Sequence, residues 1–374
     1  PRLLGSFRGW FLASLLLLAI PGYQKLGVMV HPDNLFACTT SLGVCAWLFV
    51  RAKWRRSTQP AGLAFRHLVG MAVATGLIGL TRPFSVVPVA VLTGVVLVYL
   101  VRLERGVHAP ALLRTEAFRW KRLVVRGAAL LAIIGVMSGS WYVYRWRHSG
   151  HVTNAYRDHY IAKFEGRRVN FDFVHYFTSV HLKELLETPN RKLGGSSTSI
   201  YANNPLANSF FTVLHSEVWG DQWLYFSGAG MREGKLWPKR VSLTVALAVP
   251  FIVGWLGLTF LWDWLTRLRR AVKDSRGLGL RARATTLFQN FEQELVLLGI
   301  AGLGAALYLY WQTGPALLPG KNSTIKFVYI AGLFPPTLAL LFRRRLRPLS
   351  FNLLSIYFFV LFIAAFPVAM YWPS

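Results

Sequence analysis

The stretch from His215 to Phe226 reads His-Ser-Glu-Val-Trp-Gly-Asp-Gln-Trp-Leu-Tyr-Phe. It sets an imidazole, His215, and two carboxylates, Glu217 and Asp221, among the rings of Trp219, Trp223 and Tyr225. Carboxylates among aromatic rings at a membrane surface are costly to desolvate and call for a partner: a metal, a sugar hydroxyl or a basic group. Three other clusters have similar character. His31-Pro32-Asp33-Asn34 brings an imidazole and a carboxylate close together, a pair that could ligate a divalent metal or a substrate. Arg82, beside Pro83, offers a planar fork suited to a phosphate. Lys326 leads Phe327-Val328-Tyr329 and could neutralise an anion such as a lipid phosphate. Each cluster also has a plainer reading. The His215 stretch fits an amphipathic interfacial helix. Pro32 and Asp33 fit a helix start, and Arg82 and Lys326 fit side chains that snorkel to an interface.

The elements that must position these groups are apolar. The chain is 54% hydrophobic, and several of its apolar runs reach or approach the roughly 20 residues that cross a bilayer as a helix. In order they are Phe7 to Ile20, Leu35 to Val50, Leu68 to Leu80, Phe84 to Val101, Gly127 to Tyr144, Val241 to Trp264, Leu295 to Trp311, Phe327 to Phe342 and Leu349 to Tyr371. The expectation is an all-α polytopic membrane protein with about nine transmembrane helices. One long polar segment interrupts the runs. It divides the chain into membrane helices over 1–144, an extracytoplasmic loop domain over 145–240 and membrane helices over 241–374. A structureless loop of that length would be unusual, so a small folded unit is expected there.

Charge gives the orientation. Basic clusters follow the second, fourth, sixth and eighth runs: Arg51 to Arg56, Arg102 and Arg105, Arg267 to Arg283, and Arg343 to Arg347. With the N-terminus inside, all of them fall on the cytosolic side. Arg51 to Arg56 reads as a strong cytosolic anchor, and Leu103 to Arg126 as a segment lying along that surface. His31 to Asn34, Arg82, the 145–240 segment and the 312–326 loop then share the opposite face, which would be a periplasm, a lumen or the cell exterior.

The net charge of +27 would suggest nucleic acid in a soluble protein, but charge gathered between apolar runs argues for membrane topology instead. Cys38 and Cys45 lie two helical turns apart, about 10 Å by helix rise, too far for a disulfide, and read as packing residues. The sequence has no phosphate-cradling glycine loop, nucleophile elbow or Cys-x-x-Cys pair, and its histidines lack the tight spacing of a zinc site.

Four segments together resemble the polytopic glycosyltransferases of the GT-C class, which includes protein mannosyltransferases and lipid A aminoarabinose transferases. They are His31-Pro32-Asp33-Asn34-Leu35-Phe36, Gly79-Leu80-Thr81-Arg82-Pro83, Ser216 to Phe226, and Lys326-Phe327-Val328-Tyr329 followed by Phe334-Pro335-Pro336. The resemblance implies a polyprenyl- or dolichyl-phosphate sugar as donor, membrane lipid around its tail, and a glycan, lipid or protein acceptor. It also implies a carboxylate as general base and cations on the departing phosphate. Asp33, Glu217 and Asp221 are then the catalytic candidates. His31, Asn34, Arg82, His215, Trp219, Trp223, Tyr225, Lys326 and Tyr329 are the substrate-binding candidates. Asp33 and His31 would hold a divalent metal if one is used. In the GT-C class the main catalytic carboxylate lies in a large first outer loop, for which Pro21 to His31 is too short. Two expectations follow: an upstream helix and loop precede Pro1, or the chain is a divergent or inactive relative. Outside that class, the composition fits a non-catalytic membrane subunit or a transporter of lipid-linked substrates. Few ionisable groups inside the runs and no paired broken helices weigh against the transporter.

Overall fold

A computed structural model describes residues 7–21, 32–56, 63–81, 85–104, 120–150, 173–180, 182–186, 209–220, 237–277, 279–307, 331–342 and 347–370. The helices are α1 (Phe7–Ala19), α2 (Pro32–Arg56), α3 (Phe65–Gly79), α4 (Val86–Glu104), α5 (Trp120–Ser149), α6 (Phe173–Thr178), α7 (Leu182–Leu186) and α8 (Phe210–Gly220). They continue with α9 (Trp237–Ala246), α10 (Ala248–Asp274), α11 (Leu280–Leu298), α12 (Phe334–Leu341) and α13 (Pro348–Met370). A π-helical turn, Gly299–Leu303, extends α11, and a 3-10 turn, Ala331–Leu333, precedes α12. No strand occurs among the described residues. Among the described residues, five stretches are long and apolar enough to cross a membrane: Leu35–Trp54, Val86–Glu104, Trp120–His148, Arg240–Asp274 and Pro348–Val368. The architecture is all-α and suited to embedding in a membrane, where a helix satisfies its own backbone groups. Helix also occurs within each of the other apolar runs.

Local sequence explains several boundaries. Pro32 opens α2, where its missing N–H costs nothing. Two prolines lie in the first turn of α12 for the same reason. Pro250 cannot donate to the carbonyl four residues back, and the chain steps between α9 and α10 at Leu247, whose N–H turns to Thr244 instead. The sixth run is thus two helices meeting at a step. Trp120 to Arg126, expected to lie along the surface, forms the first turns of α5. Cys38 and Cys45, expected to pack, are free and exposed. They share an outward stripe of α2 with Leu35, Leu42 and Phe49, at the three-to-four spacing of one helix face.

Ion pairs and ring contacts gather the helix ends into two groups. At the basic end, Arg126 pairs with Glu104 at 2.5 Å and lies over the Phe65 ring, joining the start of α5 to the end of α4 and the start of α3. At the same end Arg267 of α10 pairs with Glu294 of α11 at 2.8 Å. At the far end, termed the motif end, Phe36 of α2 meets Gly332, and Gly304 meets Leu333. Two hydrophobic cores fill the space between. One draws on α2, α3, α4, α5 and α11, the other on α1, α8, α9, α10 and α13. α12 belongs to both, with Leu340 in the first and Leu338 in the second.

Close approach of α3 and α5 requires small residues. A Cβ on Gly79 would lie 2.3 Å from the Ser138 hydroxyl oxygen and 2.9 Å from the Ser138 Cα. The Ser138 hydroxyl donates to the Gly76 carbonyl at 3.2 Å, a bond available only at this separation. Gly79→Ala is expected to cost roughly 1–3 kcal/mol as overpacking, whereas Gly70→Ala, where the added methyl meets nothing within 4 Å, should be neutral or stabilising. Thermal unfolding in detergent checks the pair; equal melting temperatures would contradict the close contact.

Candidate functional site

The structure brings two of the four motif segments together. Asp33 lies in the first turn of α2, and one turn on, the Phe36 ring packs on Gly332, where a Cβ would lie 2.5 Å from the ring. Gly332 and Leu333 lead directly into Phe334-Pro335-Pro336 of α12. The third segment enters through α3, which ends at Gly79. Thr81, immediately before Arg82, is buried, and its hydroxyl donates to the Ile78 carbonyl at 2.7 Å. Ile78 in turn faces Gly43 of α2. Two hydroxyls here, Thr40 of α2 and Ser85 ahead of α4, are fully buried with no hydrogen-bond partner among the described residues. Unmatched buried hydroxyls are unusual in a well-packed helix bundle and mark polar capacity at this end.

The fourth segment is carried by α8, which packs on α9. Ser209 caps α8, its hydroxyl oxygen accepting from the Thr212 N–H at 3.3 Å. The Ser209 hydroxyl also donates to the Ser179 carbonyl at 2.7 Å. The Ser242 hydroxyl of α9 donates to the Trp219 carbonyl at 2.7 Å, and His215 Nε2 donates to the Leu243 carbonyl at 3.1 Å. Tyr357 of α13 then ties α9 down by donating to the Val245 carbonyl at 2.7 Å. His215 and Trp219 are both buried, and Trp219 belongs to the second core. Both side chains therefore fix α8 against its neighbours. His31, Arg82, Asp221, Trp223, Tyr225, Lys326 and Tyr329 lie outside the described residues, as do the side chains of Asp33, Asn34 and Glu217. No group of three or more metal-ligating side chains occurs among the described residues.

A second polar centre, at the basic end, was not expected from sequence. Glu292 of α11 is buried, and its Oε1 accepts from Trp47 Nε1 at 3.1 Å and from the Tyr99 hydroxyl at 2.5 Å. Its Oε2 faces Arg51 Nε at 3.6 Å and Arg102 Nη1 at 3.8 Å. The two arginines are therefore buried partners of a carboxylate. Two guanidiniums against one carboxylate leave a positive excess. Arg102 spreads its charge over the rings of Trp54, Tyr99 and Phe288, at 5.9, 5.3 and 5.1 Å. The centre ties α2, α4 and α11 together through side chains that are all buried. A sequence signal existed: Phe291-Glu292-Gln293-Glu294 places two carboxylates directly before an apolar run.

Comparison with protein-family models, with curated proteins and with solved structures finds no match.

Two expectations follow. Glu292→Ala strands two buried guanidiniums and should destabilise by about 3–5 kcal/mol, whereas the triple change of Glu292, Arg51 and Arg102 to Met should recover much of that loss. Melting temperatures in detergent decide it; a mild single variant would show that the centre is solvated. The second concerns acid. Burial lowers the pKa of His215 from 6.5 to about 4, only partly offset by hydrogen bonds to the Leu243 and Leu185 carbonyls. The folded state thus favours the neutral ring, and this stabilisation, roughly 3 kcal/mol, is present above pH 6.5 and is lost as pH falls towards 4. A His215→Gln variant should show a flatter fall in melting temperature across that window; an unchanged slope would place the ring in water.

Proposed function

We propose that the chain is a polytopic glycosyltransferase that takes a sugar from a polyprenyl- or dolichyl-phosphate donor and works at the extracytoplasmic face. The observation that supports this reading most is the meeting of the α2 start with the α12 start. Phe36 against Gly332 joins the segment that carries Asp33 to the segment that follows Lys326. In sequence, Asp33 stands three residues before Phe36 and Lys326 six before Gly332, and a carboxylate and an ammonium are the two groups that sugar transfer from a lipid phosphate requires. The basic clusters support the sidedness, since Lys and Arg gather in cytosolic loops and these clusters lie away from the motif end.

In this reading Asp33 accepts the proton of the acceptor hydroxyl as its oxygen attacks the anomeric carbon. The bond from that carbon to the phosphate oxygen breaks, configuration inverts, and the lipid phosphate leaves. Arg82 and Lys326 offset the charge that develops on it. Glu217 and Asp221 are the other carboxylates that could serve as base. Trp219, buried beneath α8, would act by holding that helix, while Trp223 and Tyr225 would offer ring faces to a sugar. Asp33 with His31 would supply ligands to a divalent metal.

Transfer of labelled sugar from a panel of polyprenyl-phosphate donors tests the reading. Asp33→Asn and Lys326→Ala are each expected to lower turnover by about 10²-fold or more with unchanged melting behaviour. No transfer with any donor or metal, together with stable co-purification of another membrane protein, would replace this reading by that of a non-catalytic subunit.

A further inference from the structure

One stripe of α5 runs out of the core into the open. Leu130, Ile134, Met137, Trp141, Tyr144 and His148 follow one another at alternating spacings of four and three, which puts them on one face of the helix. Leu130 and Ile134 are buried in the first core, and Met137 packs on Gly76 of α3. α3 ends at Gly79, level with Ser138, whereas α5 continues to Ser149, about 16 Å of helix rise further. Past the end of α3 the stripe loses its cover: Trp141 is half-buried, Tyr144 is 54% exposed and His148 is exposed. Its upper part overhangs the turn that leads from α3 through Thr81 towards Arg82.

The rings of the stripe are ordered against each other. Trp141 and Tyr144 stack with centroids 6.1 Å apart and planes 18° apart, and the His148 ring lies 4.1 Å from that of Tyr144. His148 Nδ1 donates to the Tyr144 carbonyl at 3.0 Å, a partner that can only accept, so in the neutral ring Nε2 is left as an acceptor. Neither that nitrogen nor the Tyr144 hydroxyl has a hydrogen-bond partner among the described residues. An aromatic belt does not explain the stripe. Belt rings face lipid, and on α5 that side carries Trp146, 60% exposed and about 160° around the helix from both Tyr144 and His148. α5 contains no carboxylate, and Arg147 stands exposed beside the rings, so a cationic headgroup is disfavoured. Ring surface edged by an acceptor and a hydroxyl matches a sugar, which offers C–H faces and hydroxyls together. The height agrees. Tyr144 stands about 27 Å of helix rise above Arg126 of the basic end, close to the roughly 30 Å of a hydrocarbon core, where a lipid presents its headgroup.

We propose that Tyr144 and His148 form the subsite for the sugar of the lipid-linked donor. The sugar lies against the rings, and its hydroxyls bond His148 Nε2 and the Tyr144 hydroxyl. The inference rests on the sugar-transfer reading and adds to it two residues that none of the four motif segments contains.

Equilibrium binding to the full chain in detergent tests it, using farnesyl phosphates that carry mannose, glucose or aminoarabinose, each against bare farnesyl phosphate. Wild-type protein should bind at least one sugar-bearing lipid more tightly than the bare one. Tyr144→Ala and His148→Ala should each remove most of that preference, a loss of about tenfold, the scale of one hydrogen bond. Both variants should bind bare farnesyl phosphate and melt as wild type does. Trp146→Ala, on the lipid side of the same turn, should keep the preference. A preference that survives in both ring variants, or falls equally in Trp146→Ala, would overturn the subsite and leave the transfer reading standing. Binding of all four lipids with equal affinity would overturn the subsite as well. Failure of all four to bind would overturn the transfer reading and the subsite with it.

Discussion

Glu292 is a carboxylate held away from water by three helices, and the rest of the bundle is arranged around the need to compensate it. Burying such a charge costs several kcal/mol unless partners and hydrogen bonds surround it. Here two N–H or O–H donors bond one oxygen and two guanidiniums face the other. Those partners come from α2 and α4, so the rotation and height of both helices relative to α11 are set by one side chain. The excess positive charge falls on Arg102, which the surrounding rings accommodate.

The same α2 and α11 come together again at the other end through the turn before α12. From Trp47 back to Phe36 is about 16 Å along α2, and from Glu292 forward to Gly304 is about 18 Å along α11 and its π-helical extension. Leu333 and Gly332 fit between Gly304 and Phe36 at that level. Two helices running in opposite directions are thus joined by a polar tie at one end and a wedge of glycine contacts at the other. α12 continues from the wedge into both cores. The second core, with α8 pinned to α9 and α9 to α13, is thereby built onto the first.

Much of this frame could be read from sequence, because hydropathy and basic clusters follow directly from the membrane as solvent. The start of α2 at Pro32 and the prolines at the head of α12 were legible from the same local rules. The tie was not. Glu292 finds its hydrogen-bond donors, Trp47 and Tyr99, 245 and 193 residues away, a pairing that no local rule gives. Nor does sequence alone distinguish a glycine that permits close approach, such as Gly79 or Gly332, from one such as Gly70 that meets nothing. His215 and Trp219 show the converse. Their residue types suggest chemistry, while their burial gives them a part in holding α8. At the motif end, composition marked the residues, but only the packing of Phe36 on Gly332 shows that two of the segments meet.

The central claim is that the Glu292 tie sets the geometry of the motif end. Amide hydrogen exchange in lipid nanodiscs tests it most directly, comparing wild type with Glu292→Gln, which keeps shape and removes charge. The account expects faster exchange at the first turns of α2 and α12, around Phe36 and Phe334, some 16 Å or more from the altered side chain. Faster exchange confined to the neighbours of residue 292, with the two helix starts unchanged, would show that the ends are independent and would contradict the account.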